Sequence, residues 1–124
     1  MKCELGDIIL LNKFIYPDGV TGTLHSFVVI GIQKDELEVL PFEYLCFLIS
    51  SQKEKEKYPY NIPIKKDNVN RLKKDSHVKC DYMYTGIKEE DILMKVGYVT
   101  DEQLDLLIDT YIKSEEDRAN FKSK

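Results

Sequence analysis

The sequence predicts a small, mainly β domain (α+β): a coiled antiparallel sheet, or partly open SH3-like barrel, with one C-terminal helix. Three observations predict it. Short β-branched and aromatic runs recur along residues 8–99, separated by polar turns. One of them, residues 24–32, reads Leu-His-Ser-Phe-Val-Val-Ile-Gly-Ile, and its apolar middle fits a central strand buried on both faces. After Thr100 the apolar spacing changes to that of a helix.

In chain order, Gly6-Asp7 makes a turn before the first strand, Ile8-Ile9-Leu10-Leu11. Phe14-Ile15-Tyr16 extends that strand until Pro17 stops it. Residues 17–23 have no apolar period and form a loop, so His25 stands where a loop becomes the central strand. A strand holds a working side chain more firmly than a loop does. Residues 33–36 are a polar turn, and residues 37–42 fit either a short strand or a helical turn. Residues 43–49 form the next strand and end in Ser50-Ser51-Gln52. Alternating charges at 53–57 mark an exposed loop. Two prolines confine the short strand at 58–64 to a sheet edge. Residues 65–75 are basic and turn-rich, with Val69 and Leu72 as anchors. From 76 to 84 the chain alternates, with Val78, Cys80 and Tyr82 on the inner face and His77, Lys79 and Asp81 on the other. Residues 86–91 make a polar turn or one turn of helix. Residues 92–99 form the last strand, where Gly97 marks a bulge or a close approach. Thr100 with Gln103 fits a capping box, and Asp101 and Glu102 suit the positive end of a helix. Leu104, Leu107, Ile108, Tyr111 and Ile112 share one stripe. The helix is expected over residues 101–113, with a frayed tail after about residue 114.

Composition narrows the function. The 124 residues suit a single domain, 1–124, with a real core. No apolar run is long enough for a membrane span and no signal-peptide pattern opens the chain, so the expected location is the cytoplasm. Cys3, Cys46 and Cys80 are odd in number and lack metal-ligand spacing, so they read as reduced thiols. No metal or other cofactor is expected; His77 with Cys80 or Asp81 lacks a fourth ligand. The net charge of −4 excludes a uniformly basic nucleic-acid binder. Residues 52–80, however, hold nine Lys/Arg against four Asp/Glu, a local balance of +5 on an otherwise acidic chain. An acidic protein can thus carry a basic face.

Several segments, in order, resemble the MazF/PemK family of toxin endoribonucleases. Gly6-Asp7-Ile8-Ile9 is similar to the family's opening strand, and residues 23–30, Thr-Leu-His-Ser-Phe-Val-Val-Ile, to its second strand. Leu48-Ile49-Ser50-Ser51 resembles the strand end that carries a Ser or Thr. Lys74-Asp75-Ser76-His77-Val78-Lys79-Cys80-Asp81 resembles the family's Asp-Ser-Phe-Val-Arg-Cys-Asp-Gln stretch. Residues 95–103, from Lys95 to Gln103, resemble its ending, and the likeness covers roughly 4–113. There is one departure. The commoner family pattern is Arg-Pro-Val-Leu-Val-Ile, and this chain has His25-Ser26 where it has Arg-Pro. It is similar to a histidine-bearing branch. Lys79 likewise stands for an arginine, keeping the charge but losing the bidentate fork.

The resemblance implies a type II toxin that cleaves single-stranded RNA without metal. The 2′-hydroxyl attacks the phosphate, leaving a 2′,3′-cyclic phosphate. It implies His25, Ser50, Lys79 and Asp81 as the catalytic set. A free imidazole titrates near ~6.5 and can move a proton at neutral pH. Ser50 can donate to a non-bridging oxygen, and Lys79 can neutralise the pentacoordinate charge. Asp81 would orient His25 or Lys79, serve as the base, or form with Lys79 only a surface ion pair. RNA binding asks for a basic groove with aromatic faces. The expected RNA contacts are Thr21, Thr23, Ser51, Lys53, Lys55, Lys57, Tyr58, Lys73, Lys74 and His77. Arg71 belongs to the same basic stretch, and Tyr60, Tyr82 and Tyr84 are further candidate platforms. The implied partners are RNA, an antitoxin protein and a second copy of the chain in a homodimer, with no membrane. Two other classes compete: a non-catalytic toxin of this fold that inhibits a protein such as gyrase, and a plain SH3-like binding module.

Overall fold

The computed structural model describes residues 2–34, 37, 42–53 and 57–122. Six strands come first: β1 (Asp7–Ile15), β2 (Thr21–Gln33), β3 (Glu43–Ser50), β4 (Asn61–Ile64), β5 (Ser76–Lys88) and β6 (Ile92–Tyr98). A 3-10 turn at Glu89–Asp91 joins β5 to β6, and α1 (Asp101–Lys122) closes the chain. The strands make one antiparallel sheet in the order β4-β5-β3-β2-β1-β6. The fold is therefore mainly β with a C-terminal helix, as expected. The ambiguous segment 37–42 and the charged loop at 53–57 fall largely outside the described residues, as does half of the turn at 33–36.

The sheet buries apolar side chains on both faces. Ile9, Leu11, Phe14, Phe27, Leu48 and Tyr84 pack on one face. Ile8, Val28, Phe47, Ile49, Val78 and Cys80 pack on the other, under Leu104 and Leu107 of α1. Phe27, Val28 and Val29 are fully buried, which is why this run is apolar without alternation. Register shifts interrupt three of the ladders, β1–β6, β2–β3 and β3–β5, and such bulges let a sheet coil. The loop expected at 17–23 is partly strand: β2 starts at Thr21, and Gly22 pairs with Phe14. The Phe14 ring lies where a Cβ on Gly22 would stand, 2.3 Å away, so only glycine fits beneath it. Pro63 sits in β4, at the sheet edge where a missing N–H is tolerated.

Helix α1 starts as the sequence reads. Thr100 Oγ1 accepts from the Gln103 N–H at 3.2 Å, and Gln103 Oε1 accepts from the Thr100 N–H at 2.9 Å. It runs on to Lys122, past the expected end at Lys113, because its last turns are tied down. The Tyr60 hydroxyl donates to Asp117 at 2.6 Å, and Arg118 donates to the Asp81 carbonyl at 3.0 Å. Of the expected stripe, Ile112 is the member left half exposed. In β5, Tyr82 turns out of the core rather than into it, because extra residues bulge the strand between its pairings at Lys79 and Tyr84. Among the described residues no helix is long and apolar enough to cross a membrane.

Candidate functional site

A cleft of about 710 Å³ opens beyond the end of the β2–β3 ladder. The last pair of that ladder is Phe27 with Leu48, and the next residues beyond it on each strand are Ser26 and Ile49, then His25 and Ser50. All four line the cleft. One wall is a row across the sheet, Met94, Leu10 and Ser26, joined by the register of β6, β1 and β2. The other wall is the loop before β5, with Arg71, Leu72, Lys73 and Lys74.

That loop is held by one buried amide. Asn70 is 1% exposed. Its Oδ1 accepts from the Asp67 and Leu72 N–H groups, and its Nδ2 donates to the Lys65 carbonyl at 2.7 Å. Asp67 replies by accepting from the Val69 and Asn70 N–H groups. Each of these bonds also satisfies a polar group that would be costly to strand. The loop then docks on β6, where the Tyr98 N–H donates to the Val69 carbonyl. A Cβ on Gly97 would meet the Asn70 and Val69 carbonyl oxygens at 2.5 and 2.6 Å, so Gly97 is the expected close approach.

Charge in the cleft has one sign. Arg71, Lys73, Lys74 and Lys95 line it with His25, and no Asp or Glu appears among the described lining residues. Lys95 reaches Asp7 at 3.1 Å, and that hydrogen bond holds the lysine pKa above its ordinary value, so Lys95 stays charged. Ser26, Ser50, Ser51, Gln52 and Ser76 add neutral donors. Such a lining suits a phosphate-bearing ligand.

His25 is oriented from its own strand. Its Nδ1 lies 3.3 Å from the Thr23 carbonyl oxygen, which can only accept, so Nδ1 carries a proton. In the neutral ring Nε2 is then the atom able to take one. The rings of Phe14 and Tyr16 meet the imidazole edge to face, at 5.6 and 6.4 Å between centroids. Ser50 is nearly buried, and its Oγ accepts from the Gln52 N–H at 3.3 Å, fixing the strand end. Leu24 has a left-handed backbone, φ 49°, so three consecutive residues, Leu24, His25 and Ser26, line the cleft where regular alternation would allow two. That conformation costs a non-glycine residue about 1–2 kcal/mol.

The expected residues divide. His25, Ser50, Ser51, Lys73 and Lys74 come together in the cleft. Lys79 and Asp81 do not line it: Lys79 stands opposite Leu48 and Asn61, deeper along β5, and the Asp81 carbonyl is engaged by Arg118. His77 is fully buried between β3 and β4, opposite Ser50 and Pro63, so it cannot face RNA from there. Thr21, Thr23, Lys53, Lys57 and Tyr58 are exposed but outside the cleft, although the Thr23 carbonyl orients His25. Lys55 lies outside the described residues. Sequence reading missed Lys95, Gln52, Ser76, Leu24 and Met94 as lining residues. Lys95 gave no local signal, because it arrives through the pairing of β6 with β1.

The fold is thus a coiled sheet with one capped helix, carrying a basic cleft with no carboxylate among its described lining residues. The model of the PemK-like, MazF-like toxins of type II toxin-antitoxin systems matches residues 5–113. The chain belongs to this family, and a type II toxin has an antitoxin as its partner. Among solved structures it is similar to the Mycobacterium tuberculosis toxin MazF-mt6, with a TM-score of 0.61 and 18% identity, over 89% of this chain and 96% of that one. At that identity the likeness speaks for the fold. A search of the curated proteins finds no match.

Proposed function

We propose that the protein is a metal-independent endoribonuclease that cuts single-stranded RNA in the cytoplasm and works as a homodimer. The observation that carries this reading is His25, held by Nδ1 and lining a cleft whose charged groups are all cationic. Nε2 takes the 2′-hydroxyl proton as that oxygen attacks phosphorus. The P–O5′ bond breaks, and the proton returned to O5′ leaves a 5′-hydroxyl and a 2′,3′-cyclic phosphate. Ser50 donates to a non-bridging oxygen, and Lys73, Lys74 and Lys95 stabilise the developing charge. Lys79 and Asp81 take supporting roles from β5. Family membership and the sign of the cleft's charge support the substrate class.

The test is cleavage of a single-stranded RNA in the presence of chelator, with the new ends identified chemically. Cyclic phosphate and 5′-hydroxyl ends are expected, and His25→Ala should lower the rate by about 10²–10⁴. Toxicity that persists in His25→Ala, without RNA cleavage, would support inhibition of a protein target such as gyrase instead.

A further inference from the structure

We propose that Leu24 and Arg71 form a clamp for one nucleobase of the RNA, selecting bases with two adjacent acceptors on one edge: guanine and cytosine. The inference rests on the ribonuclease reading above. Among the described residues the non-glycine residues with a left-handed backbone are Leu24, φ 49°, and Arg71, φ 55°, and both line the cleft. Side chains other than Gly, Asn and Asp rarely adopt that conformation, and where they do the strain marks ligand clamps and active sites. Core packing does not account for Leu24, which is 60% exposed. The same cleft is lined by Leu10, Met94 and Val96, so an apolar surface is available to the face of a base.

Arg71 supplies the edge contact. Its backbone N–H donates to the Asp67 carbonyl, so the Asn70-centred loop fixes its Cα while the side chain stays exposed. The guanidinium fork matches two acceptors in one plane, such as O6 and N7 of guanine or O2 and N3 of cytosine. The charged groups of the lining are all donors, and adenine and uracil set an N–H donor beside the acceptor on the corresponding edges.

The test is cleavage of a randomised single-stranded RNA library by the full chain, read by sequencing the 5′-hydroxyl ends, beside thermal melts. The unaltered protein should favour G or C at one position near the cut. Leu24→Gly and Arg71→Gly should each weaken that preference about tenfold. Their melting temperatures should hold or rise, since glycine accepts a positive φ freely. Arg71→Lys, which keeps the charge without the fork, should lose the preference as well. The clamp is overturned if both glycine variants keep the unaltered preference, or if the preference they alter is for A or U. A library left uncut by the unaltered protein overturns the ribonuclease reading, and the clamp falls with it.

Discussion

Imidazole as a group can exchange a proton near neutral pH, which a guanidinium cannot. His25→Arg therefore separates two roles in the proposed reaction. If the residue moves a proton, the arginine variant should fail to cut RNA while still binding it, and this is the outcome expected from the protonated Nδ1. Cleavage restored by arginine, with a flattened pH profile, would reduce His25 to a source of charge. A rate assay paired with a binding assay on the same oligonucleotide decides. His25, Ser50 and Ser51 could be read from the sequence because they sit at strand ends that close recognisable apolar runs. His77 was misread for a physical reason. Alternation assigns a residue to a face of a strand, but whether that face is covered depends on strands β3 and β4, which come from elsewhere in the chain.

Among the elements, the basic loop depends most on a distant neighbour. Gly97→Ala puts a methyl group against two backbone oxygens of that loop, so β6 and the loop must separate. The expected cost is about 1–3 kcal/mol in thermal or denaturant unfolding. RNA binding should weaken too, although Gly97 itself does not line the cleft. Strand β5 carries a second expectation. Burial pushes the Cys80 thiol up to about 12, and Cys46 is raised further for the same reason. An unfolded thiol ionises near ~8.5, so above that pH the unfolded chain holds fewer protons than the native one. Stability should therefore fall as pH rises from about 8.5 toward 12. Iodoacetamide should label these cysteines at the rate of unfolding, which mass spectrometry can follow. Strand existence and the helix cap were legible because their signals are local. The length of α1 was not, since the bond from Tyr60 to Asp117 spans 57 residues.

At the scale of the whole molecule, an acidic chain sets four cationic side chains, Arg71, Lys73, Lys74 and Lys95, along one groove. Under the proposed function, the net charge of −4 disfavours RNA at most approaches, while Lys73, Lys74 and Lys95 attract it to the cleft. If each lysine takes one phosphate, the logarithm of affinity should fall with the logarithm of salt at a slope of about −2. Lys73→Ala should make that slope shallower by about 0.7, measured by fluorescence anisotropy across a salt series. A slope near zero would mean that the cleft does not hold the RNA backbone. The strand order has a different consequence, one concerned with synthesis. The first strand made, β1, pairs with the last, β6, and β6 brings Met94, Lys95 and Val96 to the cleft. A growing chain on the ribosome therefore carries His25 and Ser50 before it carries a finished groove, because the residues of the missing wall are made later. Under the proposed activity, a nascent chain stays harmless to RNA until its sixth strand has emerged.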